Sequence, residues 1–102
     1  MSRVRITAHA DADIEQIALW IASRSDTEVA LHWIADLQDA LDAIADAPGM
    51  GSDQSHLRKG MRSSPFGNDL IFFRPRSRGI DVIRVVHGSR DYRRLFQFGK
   101  NA

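Results

Sequence analysis

The stretch Asp81–Phe96, DVIRVVHGSRDYRRLF, decides how the rest of the chain is read. Its first half is a run of β-branched residues. Ile80, Val82, Arg84 and Val86 alternate with Asp81, Ile83, Val85 and His87, so both faces carry apolar side chains. Such a run fits a strand buried on both sides inside a sheet. Its second half changes character, with three arginines, an aspartate and a tyrosine crowded just past the strand. Functional side chains often stand just beyond a rigid scaffold element. The strand therefore reads as a scaffold and the tail as a surface that meets a partner.

Working outward, two further strand candidates precede this one, MRSSP and DLIFFRP. Gly67 and Asn68 separate the first pair, and RSRG ending at Gly79 separates the second; both are hairpin-length connections. The three segments predict an antiparallel meander. Upstream, GMGSDQSHLRKG is rich in Gly and Ser and reads as loop.

The first half is helical by its periodicity. After a short strand signal at Val4 and Ile6, acidic residues Asp11, Asp13 and Glu15 suit the positive end of a helix dipole. Ile14, Ile17, Ala18 and Ile21 then form one stripe at helical spacing. The second helix spans about Thr27 to Asp46. Ser25 with Glu28 makes a capping-box pattern, and Asp26 is a rival N-cap. Ala30, Trp33, Ile34, Leu37, Leu41 and Ile44 share a face, and Pro48–Gly49 ends the helix. The expected architecture is α+β: an N-terminal strand, a helical hairpin, then a three-stranded antiparallel meander, with the hairpin on one face of the sheet. The other face is expected to be open, with some of Arg62, Arg74, Arg84 and Arg90 on it. Guanidinium groups there suit phosphate or carboxylate partners.

With 102 residues, a single domain over 1–102 is the expectation. No apolar run is long enough to span a membrane, and the N-terminus lacks a signal-peptide core, which points to the cytoplasm. The absence of cysteine excludes disulfides and thiol nucleophiles. The formal net charge of +1 hides a division. Residues 1–53 hold three basic and ten acidic residues, and residues 54–102 hold eleven basic and three acidic. The basic half suits an anionic partner, unless the two halves simply attract each other.

Several chemistries find no pattern. His9, His32, His56 and His87 are scattered without metal-ligand spacing, so neither a metal nor any other cofactor is expected. GMGS lacks the lysine of a phosphate loop, and no nucleophile elbow or Ser/His/Asp arrangement occurs. Trp20 and Trp33 read as packing residues. Arg84, inside an apolar strand, reads as a partly buried arginine that needs a carboxylate. His87 and Gly88 read as a turn with a hydrogen-bonded imidazole. Arg93, Arg94, Leu95, Phe96 and Phe98 form a basic-aromatic tail, expected to contact a partner rather than dock on the core.

Taken together, the paired tryptophan-bearing helices, the PGMG turn, LRKGMRSSPFGNDLIFFR, and above all RVVHGSRD at Arg84–Asp91 resemble the ParE branch of the ParE/RelE toxin superfamily, over about Val4 to Phe96. The resemblance implies the RelE/ParE-like toxin fold. It also implies the toxic component of a bacterial type II toxin–antitoxin system that poisons DNA gyrase by binding, without chemistry of its own. The implied partner is a ParD-like antitoxin whose ribbon-helix-helix half binds operator DNA, so that the toxin meets DNA only through a toxin–antitoxin hetero-oligomer. The expected target-binding residues are Arg62, Arg84, Arg90, Asp91, Tyr92, Arg93 and Arg94. The hairpin stripe of Ile14, Ile17, Ile21, Trp33, Leu37 and Leu41 is expected to receive an antitoxin helix. The alternative is a RelE-type ribosome-dependent mRNA endonuclease. Against it, Asp69 stands where those ribonucleases commonly carry arginine, and Lys59 and Lys100 are the only lysines.

Overall fold

A computed structural model describes residues 3–88 and 94–96. The described order is β1 (Val4–Ile6), α1 (Ala8–Arg24), α2 (Thr27–Asp46), β2 (Ser52–Asp53), β3 (Arg62–Phe66), β4 (Asp69–Arg76) and β5 (Gly79–Val86). The strands form one sheet in the order β1-β5-β4-β3-β2. The meander β3-β4-β5 is antiparallel, and β1 lies parallel to β5. The architecture matches the α+β expectation, with one addition. The two residues of β2, inside the segment read as loop, pair with Ser63 and Arg62.

Local chemistry sets the helix ends. The Thr7 hydroxyl accepts from Ala10 N–H and donates to the Val82 carbonyl at 2.8 Å, so one side chain caps α1 and ties it to β5. Between the rival caps of α2, Asp26 is the N-cap, accepting from Val29 N–H at 2.9 Å, while Ser25 closes α1. Helix α2 then lays Leu37, Leu41 and Ile44 against Ile71, Phe73, Ile80 and Val82, and α1 adds Ala10 and Ile17.

The strict alternation expected for β5 fails at one residue. Phe72 pairs with Arg84 but Phe73 pairs with Val82, so Ile83 is extra and β5 carries a bulge. A one-residue insertion swaps the faces beyond it. Val82 and Val85 accordingly share the helix-side core, and Ile83 and Val86 share the opposite one.

That opposite face corrects a second expectation, since it is not open. Phe72, Ile83 and Val86 are covered by Met61 and Phe96, with Leu57, Leu70 and Leu95 around them. Phe96 is 3% exposed, and its ring meets Phe72 at 4.9 Å. The aromatic part of the tail at Phe96 is therefore docked on the core. Burial of its ring removes apolar surface from water and completes the second core.

Close backbone approach explains one glycine. A Cβ on Gly79 would lie 1.9 Å from the Arg3 carbonyl oxygen, which accepts from Ile80 N–H at 2.9 Å. Gly79→Ala is expected to push β1 off β5 and cost about 2–3 kcal/mol, as overpacking against fixed backbone does. Thermal unfolding, with hydrogen exchange at Ile80 and Thr7, checks this; unchanged protection at both amides would contradict it.

Candidate functional site

The predicted target residues that the structure describes, Arg62, Arg84 and Arg94, stand on separate segments. Arg84 turns to α1, where its Nε and Nη2 donate to the Asp13 carboxylate at 2.7 and 2.9 Å. Val85 N–H donates to the same carboxylate at 2.9 Å. The Asp13 hydrogen bonds raise the Arg84 pKa above its usual value, and partial burial opposes them. Arg84 is thus the paired arginine that its apolar strand demanded. Arg62 donates from Nε and Nη2 to the Met50 and Gly51 carbonyls, fastening the segment after α2 to β3. Arg94 is exposed on the short 94–96 helix. Arg90, Asp91, Tyr92 and Arg93 lie outside the described residues, as does Phe98.

The hairpin stripe lies against the sheet. Ile17, Leu37 and Leu41 are 5%, 1% and 2% exposed, and Ile14, Ile21 and Trp33 pack partly buried on the same core. The chain's own sheet covers Ile17, Leu37 and Leu41, while Ile14, Ile21 and Trp33 keep part of their surface outside the core. Among the described residues, the large apolar side chains left outside are Leu19, Trp20, Val29 and Leu31 on the hairpin, with Ile6 on β1 and Met50 after α2. Helical periodicity hides this distinction, because which face meets the sheet depends on how two helices cross it.

A polar cluster that sequence reasoning did not assemble stands where β4 begins and β5 ends. The Asp69 carboxylate is buried. It accepts from Trp33 Nε1 at 3.2 Å and faces His87 Nδ1 at 2.5 Å. Trp20 packs edgewise on the imidazole with centroids 4.6 Å apart, and the Arg24 guanidinium lies 5.2 Å from the Trp20 ring. One carboxylate therefore joins α2, β4 and β5 directly below Gly88, where the chain enters residues 89–93. The expectation of a hydrogen-bonded imidazole at His87 holds, but its partner is 18 positions away in sequence, and nothing local marks it.

Along the other edge, β1 and α2 bound a groove of about 310 Å³ lined by Val4, Ile6, Gln38, Leu41 and Asp42. Among the described residues no group of three His, Cys, Asp or Glu is placed to hold a metal. Nor is any described helix long and apolar enough to cross a membrane.

An acidic helical hairpin on a small mixed sheet defines a small α+β protein, and the fold alone does not fix its function. Residues 4–92 match the family described as "ParE toxin of type II toxin-antitoxin system, parDE", and the chain belongs to that family. It is 33% identical over 93 residues to Toxin ParE1 of Caulobacter vibrioides, covering 91% of this chain and 96% of that protein. It is 32% identical over 91 residues to Toxin ParE1 of Mycobacterium tuberculosis, covering 88% of this chain and 93% of that protein. Among solved structures it resembles a chain of the chromosomal ParDE TA system from P. aeruginosa. The TM-score is 0.72 at 19% identity, covering 87% of this chain and 98% of that one, a likeness of fold.

Proposed function

We propose that this chain inhibits DNA gyrase by binding it and is neutralised by a ParD-like antitoxin in a toxin–antitoxin hetero-oligomer. The observation that carries the reading is the family match over residues 4–92. The interior of the sheet supports binding over RNA cleavage. On the face away from the helices, β4 and β5 present Leu70, Phe72, Ile83 and Val86 beneath Phe96, an apolar layer rather than the basic surface that transition-state stabilisation of a phosphodiester calls for. Target contact is assigned to Arg94 and to Arg90, Asp91, Tyr92 and Arg93, with Arg62 and Arg84 holding the scaffold on which they stand. Operator DNA is reached only through the antitoxin.

Purified chain incubated with gyrase is expected to trap double-strand cleavage and block supercoiling. An Arg90→Ala, Arg93→Ala variant is expected to lose about tenfold or more in potency, as truncated charge-assisted contacts do. A folded double variant with full potency would overturn the residue assignment. Active gyrase unaffected by the chain, together with mRNA cleavage on purified ribosomes, would replace the reading with the endonuclease one.

A further inference from the structure

Beyond Phe72 the face of the sheet away from the helices changes character. Leu70 and Phe72 belong to the second core, and the next side chains on that side of β4 are Arg74 and Arg76. Arg74 stands in register with Asp81 of β5, and Asp81 with Arg5 of β1. Their neighbours Val4, Phe73, Ile80 and Val82 belong to the helix-side core, so the row Arg5–Asp81–Arg74 lies on the other side. The Asp81 side chain, 9% exposed, is its centre. Arg5 donates to it at 2.8 Å, and the Arg76 Nε stands 2.9 Å from it. One buried carboxylate thus fixes two guanidinium groups, one from each strand flanking β5. The Arg74 stem lies against Gly60, where a Cβ would stand 3.4 Å from its Cδ.

The hairpin tip adds a fourth arginine under strain. Arg76 pairs with Gly79, which leaves Ser77 and Arg78 as a two-residue turn. Arg78 has φ 68°, and among the described residues it is the one residue other than glycine with positive φ. Glycine or asparagine would hold such a turn at less cost. A strained position occupied by an exposed arginine directs attention to its side chain.

Four guanidinium groups therefore share one carboxylate. The other described acidic residue beyond position 53, Asp69, is buried against Trp33 and His87. What the cluster lacks selects its occupant. Protein partners anchor through apolar side chains, yet none of the exposed large apolar residues described belongs to β4, β5 or the turn between them. Single strands are held by stacking on aromatic rings, and the cluster has none. Arg74 and Arg76 are about 7 Å apart along β4, and Arg5 and Arg74 about 10 Å apart across two strand spacings, enough to meet more than one phosphate.

We propose that Arg5, Arg74, Arg76 and Arg78, organised by Asp81, form a contact surface for the phosphate backbone of a nucleic-acid duplex. Guanidinium groups bind phosphate oxygens and read no bases there, so the contact is independent of sequence and separate from operator recognition. It also does not depend on which protein the chain targets.

The test is fluorescence anisotropy with the full chain, labelled DNA duplexes of two unrelated sequences, a labelled RNA duplex and a labelled polyglutamate peptide. The two DNA sequences are expected to bind alike and to weaken steeply with salt. Polyglutamate is expected to bind about tenfold more weakly than the preferred duplex, since a flexible chain of lower charge density releases fewer counterions. Arg78→Gly removes a charge and the turn strain together. Duplex affinity at about 0.1 M salt should fall about fivefold to tenfold, and the log–log salt slope by about one, while Tm holds. Arg74→Gln should weaken binding similarly, and the two changes combined should lower the slope by about two. Arg24→Gln removes a charge from the helical hairpin and should leave binding unchanged. A preference between the DNA and RNA duplexes identifies which backbone the surface meets. No duplex binding by the folded chain, affinity indifferent to Arg74→Gln and Arg78→Gly, or an equal loss from Arg24→Gln would overturn the proposal. So would polyglutamate binding as tightly as the duplexes, which identifies an acidic protein segment as the occupant. Gyrase inhibition is scored in parallel: inhibition without duplex binding removes this surface and leaves the gyrase reading standing.

Discussion

Asp13→Ala is expected to lower stability by about 2–3 kcal/mol, less than for a fully buried pair because both partners keep some contact with water. The side chains of Arg84 and Asp13 are 20% and 12% exposed. Removing the carboxylate deletes both bonds to Arg84 and leaves Val85 N–H without its acceptor. For a chain of this size the loss corresponds to a fall in Tm of roughly 10–20 °C. Asp13→Asn keeps an acceptor for one donor and should fall between. Arg84→Met with Asp13→Leu replaces both charges and should recover much of the loss, since the uncompensated partner dominates the single-variant penalty. The Arg84 pKa is raised, so its contribution is fully present below the unfolded-state value and is lost only as pH rises into the strongly alkaline range. The arginine side of the pair should therefore not limit stability between neutral and moderately alkaline pH. A Tm for Asp13→Ala within a degree or two of the parent would show that the pair does not hold α1 to β5.

This pair shows how far the sequence reached. An arginine inside RVV demands a carboxylate, and that demand is local information. Which carboxylate answers it is not. Asp13 lies 71 positions away and resembles Asp11 and Glu15 in composition. The elements were legible because each has a local cause: periodicity for the helices and short connections at Gly67–Asn68 and just before Gly79 for the meander, while the second cap was narrowed to Ser25 or Asp26. The β5 bulge was not legible, because Ile83 is as β-prone as its neighbours and only pairing with Phe72 and Phe73 reveals the extra residue. The same blindness produced the open sheet face. Arginines in strand segments were counted without the packing of Leu57, Met61 and Phe96 that closes the surface beneath them. The motif RVVHGSRD pointed to the family, but motif and site are different objects. Within it Arg84 and His87 serve the scaffold, through Asp13 and Asp69.

Phe96→Ala tests the docked tail and is expected to cost about 3 kcal/mol, the low end for a buried phenylalanine. The ring fills the second core over Phe72 and also lies 5.6 Å from the Arg58 guanidinium, so truncation removes an aromatic pair and a cation–π contact with the buried area. Phe96→Leu keeps most of the volume and should cost closer to 1 kcal/mol. Truncation removing residues 94–102 should resemble the alanine variant in stability, because Leu95 and Phe96 supply its covering side chains. The decisive comparison is between folding and target inhibition. If Phe96 were a contact for the target, Phe96→Ala would keep its Tm and lose potency. If it is the lid of the second core, Tm falls by roughly 10–20 °C and potency at low temperature changes little. An apolar fluorescent dye should then bind the variant, since Met61, Phe72, Ile83 and Val86 lose their cover together. The second core then has its own closing residue, as the β4–β5 end has the Asp69–His87 contact, and each can be removed separately.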